Sequence, residues 1–169
     1  MRSLTLFLST LILAVMASFT PDGSLKVTSP AFKEGGMIPT KYSCEGGESS
    51  PAIHISGAPS GTKSFALILH DPDAPKAGGF THWVMWNIEP DGIVNEDFKG
   101  AMQGMNGKGE AGYTGMCPPS GTHHYHFMVF ALDTKLDLDK QTNKSALEAA
   151  MQGHILAQAD LVGLYKKAK

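Results

Sequence analysis

Four side chains that can do chemistry stand at the ends of apolar segments: Asp71, His82, His123 and Tyr125. Asp71 follows one such segment, His82 opens the next, and His123 and Tyr125 open a third. Imidazolium and phenol groups can donate hydrogen bonds to phosphate oxygens, and a carboxylate can keep a histidine charged and oriented. The set therefore predicts a pocket for a small anion such as phosphate. If the histidines donate as imidazoliums, anion affinity should weaken as the pH rises from about 6 to about 8.

The same groups allow other interpretations. Two imidazoles and a carboxylate can bind a divalent metal, and an Asp–His pair can supply the acid and base of a hydrolase. Cys117 is the only candidate nucleophile near the histidines, and the sequence has neither a G-x-S-x-G elbow nor a G-x-x-x-x-G-K phosphate loop. A structural interpretation also stands, because Asp before Pro often caps a turn and a histidine at a strand end is often an ordinary polar residue.

The period of two in a strand divides the histidines of the third segment between two faces. His123, Tyr125 and Phe127 share one face, whereas His124 and His126 share the other. We therefore expect His123 and Tyr125 to line the pocket. His124 and His126 are left facing solvent or free to bind a metal.

Hydrophobic periodicity and turn residues predict a chain made mostly of strands. Segments that are apolar on both faces should be buried, central strands. The predicted strands are residues 24–29, 52–56, 64–70, 81–88, 125–132 and 161–165, and the predicted helices are residues 145–152 and 154–160. The stretches 30–51 and 100–121 hold too much Gly and Pro for a regular element. This order predicts a mostly-β sandwich with short C-terminal helices.

Composition limits the number of domains and the classes of partner. A chain of 169 residues, 42% of them hydrophobic, can form one proper core but not two. Its formal charge of −2 does not provide the basic field that non-specific nucleic-acid binding needs. It also offers no polybasic patch for an anionic membrane surface. We therefore expect no nucleic-acid partner.

The N-terminus has the order of a secretory signal peptide. A positive start at Arg2 is followed by an apolar segment and by small residues before a cleavage point after Ala17. This predicts a signal peptide at 1–17, a single domain at 18–169 and a periplasmic or secreted protein. An uncleaved N-terminal anchor is the alternative. No second apolar stretch of membrane-spanning length follows, so no integral membrane segment is expected after cleavage.

Cys44 and Cys117 are the two cysteines of the chain. In an oxidising compartment an even pair is a disulfide candidate. Two separate thiols are the alternative, since the sequence gives no distance between them. Neither cysteine has the neighbouring ligands of a zinc motif.

Four motifs occur in order along the chain: DPDAP (71–75), THWVMWNI (81–88), GMCPPSGTHHYHF (115–127) and GHILAQADLVGLY (153–165). Together they resemble the phosphatidylethanolamine-binding protein family, and in particular its bacterial branch described as Raf kinase inhibitor-like. The resemblance covers roughly residues 24–166, essentially the whole predicted mature chain. DPDAP is only moderately specific alone, but the later CPPxGxHxY segment at this spacing makes the resemblance strong.

The resemblance implies two packed antiparallel β-sheets, short C-terminal helices and a pocket for phosphate-like anions or phosphorylated head groups. The positions that match the family's pocket motifs are Asp71, Pro72, His82, Cys117, Pro118, His123 and Tyr125. In eukaryotic relatives a C-terminal aromatic residue helps to close the pocket. Here His154 or Gln158 is expected in its place.

The resemblance also implies a binding protein rather than an enzyme, with no cofactor. Some relatives inhibit a kinase or a protease, so a second hypothesis is an interaction module that acts independently of the pocket, with a protease or a host protein as its partner. A hydrolase that uses Asp/His acid–base chemistry is the third. An oligomer is compatible with each of them.

Overall fold

A computed structural model describes residues 24–168. The predicted signal peptide at 1–17 lies outside the described residues. In chain order the strands are β1 (Lys26–Thr28), β2 (Ile53–Ser56), β3 (Ser64–Asp71), β4 (Phe80–Ile88), β5 (Ile93–Val94), β6 (Met102–Gln103), β7 (Thr122–Leu132) and β8 (Ile155–Lys166). A 3₁₀ turn (Thr40–Tyr42) lies between β1 and β2, and helix α1 (Lys144–Met151) lies between β7 and β8.

The apolar segments predicted as central strands form the middle of a five-stranded sheet. Its strand order is β6-β4-β3-β7-β8, and every neighbouring pair is antiparallel. A three-stranded antiparallel sheet has the order β1-β2-β5. The predicted mostly-β fold with two antiparallel sheets is therefore confirmed for residues 24–168. The sequence did not reveal β5 and β6, because two-residue strands are too short to show a hydrophobic period.

Both faces of β3 are buried, which explains why its sequence is apolar throughout. Phe65, Leu67 and Leu69 face a core shared with the small sheet. Ile68 faces a second core on the other side of the large sheet. Full burial of one such side chain contributes roughly 1.5–3 kcal/mol, so β3 stabilises both cores. Asp71, two positions after Leu69, shares its face and is buried there.

Helix α1 covers the second core. Oδ1 of Asn143 caps its N-terminus by accepting a hydrogen bond from the backbone N–H three residues on, at 3.0 Å. Leu147 and Met151, four positions apart, are buried on one side of the helix. The predicted helix at 145–152 is confirmed to within one residue at each end. No helix in the described range 24–168 is long and apolar enough to cross a membrane.

The second predicted helix, at 154–160, is wrong. Strand β8 occupies most of this segment and pairs with β7 along its whole length. Ala157, Ala159 and Leu161 alternate toward the first core, which is the period of a strand. Alanine favours a helix locally, but a helix this short is marginal by itself, and β7 offers a full row of backbone partners. The predicted strand at 161–165 is confirmed as the end of β8.

The two long connections are joined to each other. The structure links Cys44 and Cys117 in the predicted disulfide, with their Cα atoms 5.5 Å apart. Beside it, the backbone N–H of Cys44 donates to the carbonyl of Met116 at 3.1 Å. The Tyr113 hydroxyl donates to the carbonyl of Tyr42. The disulfide and these two hydrogen bonds therefore hold the Gly- and Pro-rich stretches 30–51 and 100–121 together beside the large sheet.

Candidate functional site

The polar ends of three adjacent strands of the large sheet meet at one place. Because β3 is antiparallel to both neighbours, its C-terminal end lies beside the N-terminal ends of β4 and β7. Asp71 is the last residue of β3, while His82 and His123 are close to the starts of β4 and β7. The topology thus brings Asp71 into contact with His123, 52 positions further along the chain.

Asp71 is buried, and each of its carboxylate oxygens has a partner. Oδ1 accepts a hydrogen bond from the backbone N–H of Asp73 at 2.9 Å, which caps the turn after β3. Oδ2 accepts a hydrogen bond from Nδ1 of His123 at 2.8 Å. Asp71 is therefore both the cap that the structural interpretation predicted and the group that orients His123.

His82 is held by a backbone carbonyl. Its Nδ1 lies 2.9 Å from the carbonyl oxygen of Thr114. A carbonyl only accepts, so Nδ1 carries the proton and, in the neutral ring, Nε2 carries the lone pair. Burial lowers the pKa of His82 below its ordinary value, although the Thr114 carbonyl and the Asp71 carboxylate act in the opposite direction. His82 is therefore neutral at pH 7 unless an anion comes close to it.

The Tyr125 hydroxyl is a buried donor that forms no hydrogen bond of good geometry with any residue of the described chain. The Asp71 carboxylate lies close enough to interact with it. The ring packs edge-on against His82, with ring centroids 5.3 Å apart, and stacks beside His123 at 6.5 Å. Burial raises the pKa of Tyr125 well above its ordinary value, and the Asp71 carboxylate adds to this shift. The hydroxyl therefore keeps its proton and is available to donate.

Thr114 supplies a second unpartnered hydroxyl at the same place. Its Oγ1 is buried and has no hydrogen-bond partner within residues 24–168. A buried polar group that is left unpaired costs about 1–3 kcal/mol. Two such atoms around His82 indicate a place where a polar ligand can supply the missing hydrogen bonds.

A cavity of about 290 Å³ lies against these side chains. Its lining comes from the ends of β3 and β4 and from both long connections: Cys44, Glu48, Asp71, Phe80, His82, Lys108, Thr114, Gly115, Cys117, Pro118 and Pro119. The disulfide is part of the wall. Because Cys117 is bonded to Cys44, it has no thiol to act as a nucleophile.

The predicted ligand residues fall into three groups. Those that line the cavity are Asp71, His82, Cys117 and Pro118. His123 and Tyr125 lie one step further away, since they contact the lining residues Asp71 and His82. Pro72 is exposed beside Asp71 and is not part of the lining.

His154 lies far from the cavity, which corrects the prediction made for it. His123 is at the N-terminal end of β7, whereas His154 pairs with Asp133, directly after the C-terminal end of that strand, at 2.8 Å. The length of β7 separates the two ends by about 30 Å. Gln158, the alternative candidate, lies opposite Phe130 and therefore in the same distant half of the ladder.

The predicted division of the histidines on β7 is confirmed. His123 and Tyr125 are buried on one face, and His124 and His126 lie on the other. Nδ1 of His126 pairs with the carboxylate of Asp160 at 2.6 Å. In the described part of the chain, no group of three or more His, Cys, Asp or Glu side chains is arranged to hold a metal ion. The metal interpretation therefore gains no support from these residues.

Two charged residues that sequence reasoning missed also line the cavity. Nζ of Lys108 lies 3.9 Å from Oε1 of Glu48. Both residues belong to the long Gly- and Pro-rich stretches 30–51 and 100–121, and long irregular loops in compact domains are often functional. Nothing in the local pattern distinguishes Lys108 from the other lysines, so only the folded loops reveal it.

Known protein families provide an independent comparison for this arrangement. A sequence profile described as "Phosphatidylethanolamine-binding protein" matches residues 28–166. The chain belongs to the phosphatidylethanolamine-binding protein family. The family resemblance of the four motifs is therefore confirmed.

Relatives of this phosphatidylethanolamine-binding family member span nearly the same length. A UPF0098 protein from Methanothermobacter thermautotrophicus is 43% identical over 151 residues, which cover 85% of this chain and 99% of the relative. A UPF0098 protein from Pyrococcus horikoshii is 44% identical over 156 residues, which cover 85% of this chain and 77% of the relative.

Solved structures show the same fold. A crystal structure of a phosphatidylethanolamine-binding protein homologue from Chlamydia trachomatis has a TM-score of 0.83 and 40% identity, and the match covers 86% of this chain and 99% of the homologue. YbcL from E. coli, described as a new member of the mammalian family, has a TM-score of 0.80 and 36% identity, with coverage of 86% and 99%.

Proposed function

We propose that this phosphatidylethanolamine-binding family protein binds a phosphate or a phosphorylated head group in the cavity, and that it does so without catalysis. The observation that carries the proposal is the pair of buried, unpartnered hydroxyls of Thr114 and Tyr125 around His82. Phosphate oxygens are strong acceptors; Thr114 lines the cavity and can donate to them directly, and Tyr125 can donate if the ligand reaches past His82. The hydrogen bond to Asp71 holds the imidazole of His123 in a fixed orientation.

His82 is the residue whose charge the ligand would change. In its neutral form, Nε2 holds a lone pair and repels a phosphate oxygen. An anion close to the ring favours the protonated form, in which Nε2–H becomes a donor. Binding is therefore coupled to the uptake of a proton by His82, and the ligand's charge offsets the cost of a charged ring in a buried place.

The state of Cys117 disfavours one catalytic route, nucleophilic attack by a thiolate. The disulfide with Cys44 leaves no thiolate for such chemistry. The residues that remain around the cavity can donate hydrogen bonds and orient an anion.

Isothermal titration calorimetry with inorganic phosphate and with phosphoethanolamine tests this proposal. We expect Asp71→Asn and Tyr125→Phe to bind about tenfold more weakly than the wild type, or weaker still, because each loses a hydrogen bond at the site. Asp73→Asn is the matched control, since its exposed carboxylate pairs with His124 and is not part of the cavity lining, and it should bind like the wild type. Absence of binding by the wild type, or unchanged affinity in Tyr125→Phe, would contradict the proposal.

We also propose that the protein works in an oxidising compartment, either the periplasm or the outside of the cell. The disulfide supports this, because such bonds persist in oxidising compartments and are rare in the cytosol. The signal-peptide pattern at 1–17 favours the same location. Cell fractionation combined with thiol labelling should find the protein outside the cytosol without free thiols. A cytosolic protein with two reactive thiols would rule out this location.

A further inference from the structure

Among the residues of the described chain that line the cavity, Lys108 is the one lysine or arginine. His82 is the other basic residue of the lining, and burial lowers the pKa of its ring. Asp71 and Glu48 bring two carboxylates to the same wall. An anion that enters the cavity therefore depends on the ammonium group of Lys108 for its first attraction.

The pairing of Lys108 with Glu48 is loose. The separation of 3.9 Å between Nζ and Oε1 is too long for a hydrogen bond. About half of the Lys108 side chain and two fifths of the Glu48 side chain are exposed, at 49% and 40%. Exposed pairs of this kind contribute little to stability because water and salt screen them. Lys108 can therefore leave Glu48 at small cost.

The loop that carries Lys108 is, by contrast, firmly held. The buried side chain of Asn106 accepts a hydrogen bond from the backbone N–H of Lys108 at 2.9 Å. The N–H of Gly107 donates to the carbonyl of Thr81 at 2.7 Å. A Cβ added to Gly107 would lie 2.7 Å from the ring of Phe80, so the loop packs directly on β4. A fixed backbone thus presents a mobile ammonium group to the cavity.

We propose that Lys108 and Glu48 act in opposition and together set the affinity and the charge preference of the cavity. Lys108 leaves Glu48 and pairs with the incoming phosphate group, whereas the carboxylate of Glu48 repels it. Both the attraction to Lys108 and the repulsion by Glu48 grow with the charge of the ligand. Lys108 therefore shifts the preference of the cavity toward a phosphate dianion, and Glu48 shifts it toward a monoanionic diester. This inference rests on the proposed function.

Titration calorimetry of the full mature chain with inorganic phosphate, at about pH 7.5, measures both residues. We expect Lys108→Gln to lose about tenfold in affinity or more, since a charge-assisted hydrogen bond is removed, and Lys108→Arg to retain most of it. Glu48→Gln should bind roughly two- to fivefold more tightly, the modest size reflecting its exposure. Lys99→Gln is the matched control, since Lys99 does not line this cavity, and its phosphate affinity should equal that of the wild type.

The opposite changes in affinity expected for Lys108→Gln and Glu48→Gln separate this inference from a general loosening of the loops. Such loosening would weaken phosphate binding in both variants. Lys108→Gln should also shift the affinity ratio of phosphate to dimethyl phosphate toward dimethyl phosphate, because it removes an attraction that grows with ligand charge. Wild-type affinity in Lys108→Gln, together with loss of binding in Asp71→Asn, would overturn this inference and leave the proposed function standing. Weaker binding by Glu48→Gln would overturn the opposing role of Glu48. A wild type that binds no phosphate would overturn both proposals.

Discussion

Two successive residues of β7 carry histidines with the same kind of partner in opposite surroundings. Nδ1 of His123 pairs with Asp71 at 2.8 Å, and Nδ1 of His124 pairs with Asp73 at 2.7 Å. The side chains of the first pair are 9% and 4% exposed, and those of the second are 56% and 40% exposed. Water and salt screen the second pair, whereas burial strengthens the first and keeps its geometry. Burial, rather than residue type, makes one pair part of a site.

The largest effect is expected from removing one carboxylate charge in each pair. Asp71→Asn should lower the free energy of unfolding by about 2–3 kcal/mol, because a buried hydrogen bond to a charged group is lost. Asp73→Asn should lower it by less than about 1 kcal/mol. Urea unfolding followed by circular dichroism measures both variants at neutral pH. Equal losses would show that burial does not distinguish the two pairs.

Two buried tyrosines offer a second comparison. The Tyr165 hydroxyl accepts a hydrogen bond from Ser43 at 2.7 Å and donates to the carboxylate of Glu45, whereas the Tyr125 hydroxyl has no partner in the described chain. Without ligand, Tyr165→Phe should therefore lose about 1–2 kcal/mol of unfolding free energy, and Tyr125→Phe should lose none or gain slightly.

Thermal unfolding without phosphate and then with it tests this comparison. Phosphate should stabilise the wild type and Tyr165→Phe more than Tyr125→Phe, because the stabilisation at a given ligand concentration increases with the ligand's affinity for the folded state. If Tyr125→Phe were as destabilised as Tyr165→Phe without ligand, the Tyr125 hydroxyl would have a partner in the free protein.

The smallest effect concerns pH and His82. Burial lowers the pKa of His82 in the folded protein below the value of about 6.5 in the unfolded chain. The unfolded state therefore binds more protons below that pH, so this contribution to stability is complete above about pH 6.5 and is lost as the pH falls. Asp71 and the Thr114 carbonyl partly oppose the shift, and His70 adds to it. Acidification from about pH 7.5 to about pH 5 should destabilise the wild type more than His82→Gln, as measured by urea midpoints.

Phosphate affinity should respond to His82 in the opposite direction. Because binding protonates His82, the affinity of the wild type relative to His82→Gln should rise as the pH falls through the pKa of His82 in the complex, and it should level off below the lowered pKa of the free protein. The ratio of the two variants removes the ionisation of phosphate itself. The rise should extend to a lower pH than for an unperturbed histidine of pKa about 6.5, since the structure buries the ring. A ratio that stays constant with pH would mean that His82 does not take up the proton.

Strong local patterns were sufficient to predict much of the fold. The apolar run of β3 and the alternation in β7 predicted which side of each strand would be buried, and both Asp71 and His123 lie on the predicted faces. The helix predicted at 154–160 is wrong, because the alanines favour a helix only weakly and backbone pairing with β7 stabilises a strand there. Local propensity is a weak preference when a neighbouring strand offers a full set of backbone partners.

The cavity lining was less predictable than the strands. His154 was expected there on the basis of family position alone, and the length of β7 places it at the opposite end of the sheet. Glu48 and Lys108 were not expected, because both lie in irregular loops whose course no periodic pattern describes. Loops are positioned by contacts such as the disulfide and the hydrogen bonds of Asn106.

By itself, the sequence determined the strands other than β5, β6 and the first half of β8, together with helix α1 and the division of the histidines between two faces. These features depend on neighbours two to four positions apart, where the geometry of strand and helix is the same in every protein. Only the tertiary structure decided that Asp71 meets His123 across 52 positions and that Cys44 meets Cys117 across 73. It also decided that the hydroxyl of Tyr125 is buried without a hydrogen bond of good geometry to residues 24–168, because burial is a property of the assembled sheets rather than of any single strand.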